Sequence, residues 1–429
     1  MDQPITIVWL RRDLRLKDNR ALDAAVGKGL PVLLLFIFDP HILGELPVDD
    51  PRVTFIYQNL RKIQERLRAG DSSLMVRFGK PEQVWEQLMR EFVIKGVFAN
   101  RDYEPYAIRR DEAVASLLAG KGIPATFLKD QVVFECDEVT KPDGKPYTVF
   151  TPYKKRWLER FSLISKEIRP DPDPSVFVKG SFAFPAIEEI GFRTASCQVE
   201  PPDFSKIRLY DRYRDLPAMD GTTLAGPHLR FGTVSIRELS IRAEQENAVY
   251  LSELIWREFF MQILWHFPEV VTQSFRKVYD TIRWRNDERD FERWCRGETG
   301  YPLVDAGMQQ LNRSGFMHNR IRMVVASFLC KHLLIHWSWG EAYFATKLLD
   351  YELSSNNGNW QWAAGTGCDA APYFRVFNPM LQQERFDPDL DYVRQWIPEF
   401  DPKRYIPPIV DHALARERAI QTYRASLST

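Results

Sequence analysis

At 429 residues the chain is too long for one ordinary core, so two domains are expected. Its 58 Lys+Arg balance 58 Asp+Glu, and this neutrality gives no chain-wide reason to expect nucleic acid or a membrane surface, although a local basic groove can sit inside a zero sum. Five scattered cysteines without CxxC or Cys/His metal spacing argue against a disulfide framework and a metal centre, and point to a reducing compartment. The start, MDQPITIVWL, lacks a signal-peptide pattern, and the longest apolar run, Val32 to Phe38, is too short to span a bilayer, so a soluble, cytoplasmic protein is expected.

In chain order, short β-rich runs come first: ITIVWL at 5–10, VLLLFIF at 32–38, LMVRF at 74–78 and GVFA at 96–99. The amphipathic stretches between them predict a doubly wound α/β domain, a parallel sheet covered by helices, over residues 1–130. No GxGxxG or GxxxxGKS follows the first strand, so an ordinary dinucleotide or P-loop fingerprint is missing. Residues 131–205, with PDPDP at 170–174 and Pro185, Pro201 and Pro202, read as an interdomain connector. Beyond it strand signals nearly vanish. Helical spacing over Leu251 to Phe267, Leu303 to Leu311 and His318 to His336 predicts an all-helical domain over 206–429.

Function concentrates in this second half, where nine of the 12 tryptophans lie, only Trp9, Trp85 and Trp157 preceding residue 250. In MHNRIRM at 317–323, Asn319, Arg322 and Met323 fall at i, i+3 and i+4 and share a helix face. Taken alone, that set reads first as a solvated or salt-bridged helix face. NNGNWQWAAGTG at 356–367 is too apolar for a linker and too Gly-rich for an ordinary helix, which suggests backbone passing close to a flat ligand.

WLRRDLRL, FTPYKKRW at 150–157, GPHLRFG at 226–232, ELIWREF, GYPLVDAGMQQL, MHNRIRM and NNGNWQWAAG stand in an order and spacing that resemble, over nearly the whole chain, the photolyase and cryptochrome family of FAD-containing flavoproteins. Within it the class I cyclobutane pyrimidine dimer photolyases are most similar. The resemblance implies light-dependent DNA repair, a carbon–carbon lyase activity: excited, reduced FAD passes an electron to a flipped-out pyrimidine dimer, and the electron returns after the ring splits. The implied partner is UV-damaged DNA, with no membrane, no obligate protein partner and a monomeric state.

Carried over position by position, Glu253 resembles the carboxyl group that contacts the thymine carbonyl, with Asn319 as a second polar contact and Met323 packing on the lesion. Trp256 and Trp362 resemble the aromatic walls, and Arg214, Arg257 and Arg320 the DNA contacts. Glu253 and Arg257, at i and i+4, could instead form a plain helix pair. For the flavin, the match covers Tyr210, the run Thr222, Thr223, Leu224, Ala225 and Gly226, the pair Arg322 and Asp350, and then Tyr351, Glu352 and Asn356, the last facing flavin N5. Trp284, Trp337 and Trp360 match a chain of three tryptophans that photoreduces the flavin, although each singly reads as core packing.

The chain departs from the family pattern in several places. TTLAGP at 222–227 stands where TSRLSP is usual, so Leu224 replaces an Arg and Gly226 a Ser, leaving backbone N–H groups to cradle phosphate. Phe316 replaces a Trp, and Glu352 an Asp. NRDYEPYAIRRDE at 100–112 lacks the Asn-Glu pair of folate-binding relatives, so a second antenna chromophore, deazaflavin or folate, stays open, as does none. A (6-4) photolyase would need two histidines where Asn319 and Met323 stand, and His318 is turned ~100° from them. A cryptochrome-like blue-light photosensor using the same FAD is the main alternative, and Glu253, Trp256, Asn319 and Met323 favour repair over it. A helical flavoprotein without photochemistry would leave the three matched tryptophans unexplained.

Overall fold

The computed structural model describes residues 3–427. The chain forms two compact units that interleave along the sequence: Met1–Glu138, Ser162–Pro202 and Leu224–Glu244 in the first, Val139–Phe161, Asp203–Thr223 and Gln245–Thr429 in the second. The consecutive division 1–130, 131–205 and 206–429 expected above differs from this. The Pro-rich stretch is no free tether: Phe177, Val178, Ile187, Ile190 and Phe192 are buried, and Val178 N–H donates to the Val32 carbonyl at 3.0 Å. Apolar residues spaced too irregularly for a helix or strand still anchor it to the first unit.

The first unit is built on a five-stranded sheet ordered β3-β2-β1-β4-β5, from β1 (Pro4–Leu10), β2 (Val32–Phe38), β3 (Met75–Phe78), β4 (Val93–Asn100) and β5 (Ala125–Leu128). Every neighbouring pair is parallel. Alternate residues of β1 and β2 enter opposite cores: Val8, Leu34 and Phe36 pack with Leu22, Leu60 and Ile63, whereas Ile7, Trp9, Leu33 and Leu35 pack with Trp85, Leu88 and Val114. Both faces are therefore covered, which is why these strands read as unbroken apolar runs. The crossover helices Pro51–Arg68, Pro81–Glu91 and Pro105–Ala119 each begin with proline, whose fixed φ suits a first helical position and whose missing N–H would go unpaired there anyway.

Among the described residues the second unit contains helices and no named strand. Its main elements are Phe150–Phe161, Ala248–His266, Pro302–Ser314, Asn319–Ser327, Trp337–Lys347, Leu353–Ala364 and His412–Ser426. The single helical segment expected from His318 to His336 is instead a helix over Asn319–Ser327, a π-helical turn over Phe328–His332, and a break. Histidine capping explains both helix starts. His318 Nδ1 accepts from Arg320 N–H and His336 Nδ1 from Ser338 N–H, each at 3.2 Å, satisfying first-turn donors that would otherwise be orphaned. Among the described residues no helix is long and apolar enough to cross a membrane, and no group of three or more His, Cys, Asp or Glu could hold a metal ion.

Candidate active site

The helix Ala248–His266 carries Glu253, Trp256 and Arg257. At i and i+3 the first two lie on neighbouring turns of one face. Glu253 Oε1 accepts from Arg214 Nη1 at 2.6 Å, and Arg257 Nη2 donates to Glu352 Oε1 at 3.1 Å. The plain i, i+4 pair between Glu253 and Arg257 is thus replaced by two pairs that reach other segments. Trp256 stacks on Phe150 with centroids 3.6 Å apart and planes within 8°. Phe150 opens the helix Phe150–Phe161, whose Trp157 Nε1 donates to the buried Glu258 at 2.6 Å, so the indole of Trp256 is backed by a clamped aromatic layer.

The helix Asn319–Ser327 presents Asn319 exposed at its first position, with Arg320, Arg322 and Met323 half-buried. Arg320 Nη2 donates to Asp215 at 2.7 Å, its guanidinium lies 4.3 Å over the Phe386 ring, and Nη1 is 3.8 Å from the Met323 sulfur. Arg322 turns away from it. Its Nη2 donates to Asp350 at 2.9 Å and its Nε to the Met317 carbonyl at 2.7 Å.

Leu353–Ala364 is the helix of NNGNWQWAA. Glu352 stands at its N-cap position, buried, and its carboxylate accepts from the side chains of Arg257 and, at 3.3 Å, Ser355 Oγ. Asn356 commits both amide hydrogens to Glu341, so the acceptor oxygen is what its side chain has left to offer. Tyr351 also hydrogen-bonds the Glu341 carboxyl group, which burial pushes above the usual range. Glycine allows the helix to sit close to its neighbours: a Cβ at Gly358 would stand 2.1 Å from Phe260, and one at Gly340 2.1 Å from the Trp360 ring. Trp362 is half-buried on the same helix.

Trp337 and Trp360 are buried in one apolar cluster, against which Trp284 packs. His336 stands between two of them, its ring 5.3 Å from Trp284 and 5.2 Å from Trp337. Trp360 meets Phe344 at 5.0 Å and Trp294 at 6.0 Å. Sequence reasoning passed over His336, Trp294, Glu341 and Asp215. An i, i+1 relation to Trp337 was the available signal for His336. The other three depend on contacts between distant segments.

Tyr210 packs edge-on to Tyr250 at 5.0 Å, and Thr223 Oγ1 lies 2.9 Å from the Tyr250 hydroxyl, which ties Tyr210 and the Thr222–Thr223 segment to one support. Burial, and then the nearby Glu253 charge, raise the Tyr210 phenol well above its ordinary value. Leu224, Ala225 and Gly226 fall in the first unit. Leu224 takes a left-handed φ of 54°, a conformation that a branched side chain rarely adopts. The helix at Gly226–Arg230 spans only five residues.

These groups suit a flavin. Asn356 offers a neutral acceptor, Arg322 and Asp350 a fixed ion pair, and Ser354 Oγ, two residues before Asn356, is a buried hydroxyl without a hydrogen-bond partner. A family model described as the FAD binding domain of DNA photolyase matches residues 250–403, and one described as DNA photolyase matches residues 6–175. Together with the doubly wound sheet and the helical unit, they define the class as a two-part FAD-binding flavoprotein.

A deoxyribodipyrimidine photo-lyase of Vibrio cholerae is 36% identical, the match covering 98% of this chain and 99% of that one. Among solved structures, a bacterial class III photolyase from Agrobacterium tumefaciens superposes with a TM-score of 0.87 at 33% identity, covering 100% of this chain and 99% of that one. An archaeal photolyase from Sulfolobus tokodaii, described as holding two FAD molecules with implication of a novel light-harvesting cofactor, gives 0.84 at 32% identity, covering 99% of this chain and 100% of that one. The chain belongs to the DNA photolyase family.

Proposed function

We propose that this protein is a deoxyribodipyrimidine photo-lyase that uses light to split cyclobutane pyrimidine dimers in UV-damaged DNA. The observation that carries the reading is a carboxylate, Glu253, one turn from the face-stacked Trp256 and clasped by Arg214 at 2.6 Å. A hydrogen-bonding group, an aromatic surface and a cation are what an extruded base pair with flanking phosphates requires.

FAD, held by the chain in its reduced form, would supply the light-driven electron chemistry. The residues of the chain do the rest. Trp256 and Trp362 offer walls to the dimer, Met323 packs on it, and Glu253 and Asn319 hydrogen-bond its carbonyls. Arg214, Arg257 and Arg320 face phosphate. Of these Arg257 is the most enclosed, with 12% of its side chain exposed and Glu352 already on its guanidinium. Asn356 holds an acceptor toward the cofactor while Arg322, Asp350, Glu352, Tyr351, Tyr210, Thr222 and Thr223 fix it in place. Trp284, Trp337 and Trp360 form an inward electron path.

In the first unit, Arg12 bonds Asp102 at 3.1 Å and Glu104 at 3.2 Å beyond the carboxyl ends of β1 and β4, the switch point where open α/β sheets receive ligands. An antenna chromophore, if this chain carries one, belongs there. The enzyme works as a cytoplasmic monomer.

The test is direct. Flavin-loaded, reduced protein is illuminated with a dimer-containing oligonucleotide, and thymine absorbance at the lesion is followed. Recovery only in the light supports repair. Intact dimers after saturating illumination, with flavin demonstrably bound and reduced, would sink it.

A further inference from the structure

Asp215 lies between two arginines. Its Oδ1 is 2.7 Å from Arg320 Nη2 and 4.0 Å from Arg214 Nε, and 42% of its side chain is exposed against 18% and 21% for its partners. Both guanidiniums are held on their other sides: Arg320 rests on Phe386, while Arg214 lies 5.2 Å from the Tyr210 ring centroid and is tied to Glu253. A single anionic oxygen shared by two fixed cations is the arrangement a DNA phosphate would adopt there.

We propose that Asp215 is a built-in phosphate surrogate, occupying in the free protein the place of a DNA backbone phosphate between Arg214 and Arg320 and so limiting affinity for DNA. The proposal rests on the reading of Arg214 and Arg320 as DNA contacts. The ion pair is too exposed to matter much for folding, since exposed pairs add little stability in water. Its effect is on charge. Arg214 and Arg320 against Asp215 and Glu253 sum to zero, so the free site projects no net cation toward passing DNA. His318 adds none at neutral pH, because burial pushes its imidazole down to about 4 despite the pull of Asp215.

A phosphate entering this site exchanges one anion for another, and the displaced carboxylate must then be solvated and screened. Intact and damaged DNA meet the same penalty, but only a lesion adds contacts to Glu253 and Trp256 that offset it. Intact DNA is therefore released readily, and the base-level contacts decide where the protein stays.

The experiment compares wild type, Asp215→Asn and Arg320→Gln, all flavin-loaded, by fluorescence anisotropy with dimer-containing and intact oligonucleotides over a salt series. Removing a unit charge about 4 Å from a phosphate in a water-like medium changes affinity by about fivefold. Asp215→Asn is thus expected to tighten both complexes about fivefold, to leave their ratio unchanged, and to steepen the salt slope by about 0.7–0.9, one phosphate's share.

If Arg320→Gln weakens binding while Asp215→Asn tightens neither complex, the surrogate role is overturned and the DNA-contact reading survives. If Arg320→Gln changes nothing, the DNA-contact reading itself fails. Flavin absorbance and melting temperature report folding, and Asp215→Ser decides should the Asn variant not fold.

Discussion

Asn356 gives both of its amide hydrogens to Glu341, one to the backbone carbonyl at 3.0 Å and one to the carboxylate at 2.8 Å. The backbone carbonyl cannot change its role, so the orientation of the amide is set by covalent chemistry and not by the protonation of Glu341. Burial raises the Glu341 carboxyl above its ordinary value of 4.5, while the bonds from Asn356 and Tyr351 oppose that rise. Its folded form therefore binds a proton more tightly than its unfolded form, and stability is lost as pH climbs from the unfolded value through the folded one. Asn356→Asp removes a donor and sets a second carboxylate beside the first, which should push the pair further up. The variant should lose stability relative to wild type as pH rises from about 5 to about 8, by chemical denaturation. A difference from wild type that stays constant across that range would show the two side chains to be uncoupled.

Glu253→Gln keeps size and hydrogen-bonding capacity but removes the charge that holds Arg214. Repair quantum yield should drop more than dimer affinity. Equal losses in both would mean that Glu253 only helps to bind. A gain in affinity for intact DNA would mean that its charge also shields Arg214 from phosphate.

Trp360→Phe should abolish photoreduction of the oxidised flavin while leaving repair by chemically prereduced enzyme intact. Transient absorption that shows a tryptophan radical forming at the wild-type rate in this variant would place the first donor elsewhere. Trp294, 6.0 Å from the Trp360 ring, is the first alternative to examine.

Gly340→Ala would drive a Cβ to 2.1 Å from the Trp360 ring. Overpacking of this kind should lower stability by about 1–3 kcal/mol in denaturant titration. An unchanged midpoint would mean that the helices Trp337–Lys347 and Leu353–Ala364 separate easily.

Arg257→Met should act on the fold before it acts on DNA. Glu352 has 5% of its side chain exposed, and taking one partner from a buried pair typically costs about 3–5 kcal/mol. Retained stability with a large loss of DNA affinity would reverse this order and make Arg257 chiefly a phosphate contact.

The sheet was legible wherever strands were buried on both faces, because β1 and β2 announce themselves as unbroken apolar runs. β5 was not: Ala125–Leu128 is four residues long, lies at an edge and is fully buried on neither face, so no pattern marks it. The helix Phe150–Phe161 carries a motif yet reads as part of a connector, since its apolar face packs on Trp256 and Phe259 a hundred residues away, and its Trp157 bonds Glu258 there. Apart from Arg322 and Asp350, which the resemblance paired and the structure joins at 2.9 Å, motif residues could be named from the sequence but their partners could not. Arg214 with Glu253, Arg257 with Glu352 and Asn356 with Glu341 join separate segments, and charge order along the chain carries no information about which carboxylate a guanidinium will meet.

Because the helix Phe150–Phe161 precedes the 162–202 segment of the other unit yet clamps Trp256 and Glu258, the helical half is not a cassette that one cut can excise. A fragment starting at residue 203 would strip the indole bond from Glu258 and bare one face of Trp256. Engineers wishing to transplant this half would have to graft the early helix back through an artificial linker. Evolutionary loss of the sheet half by simple truncation meets the same obstacle.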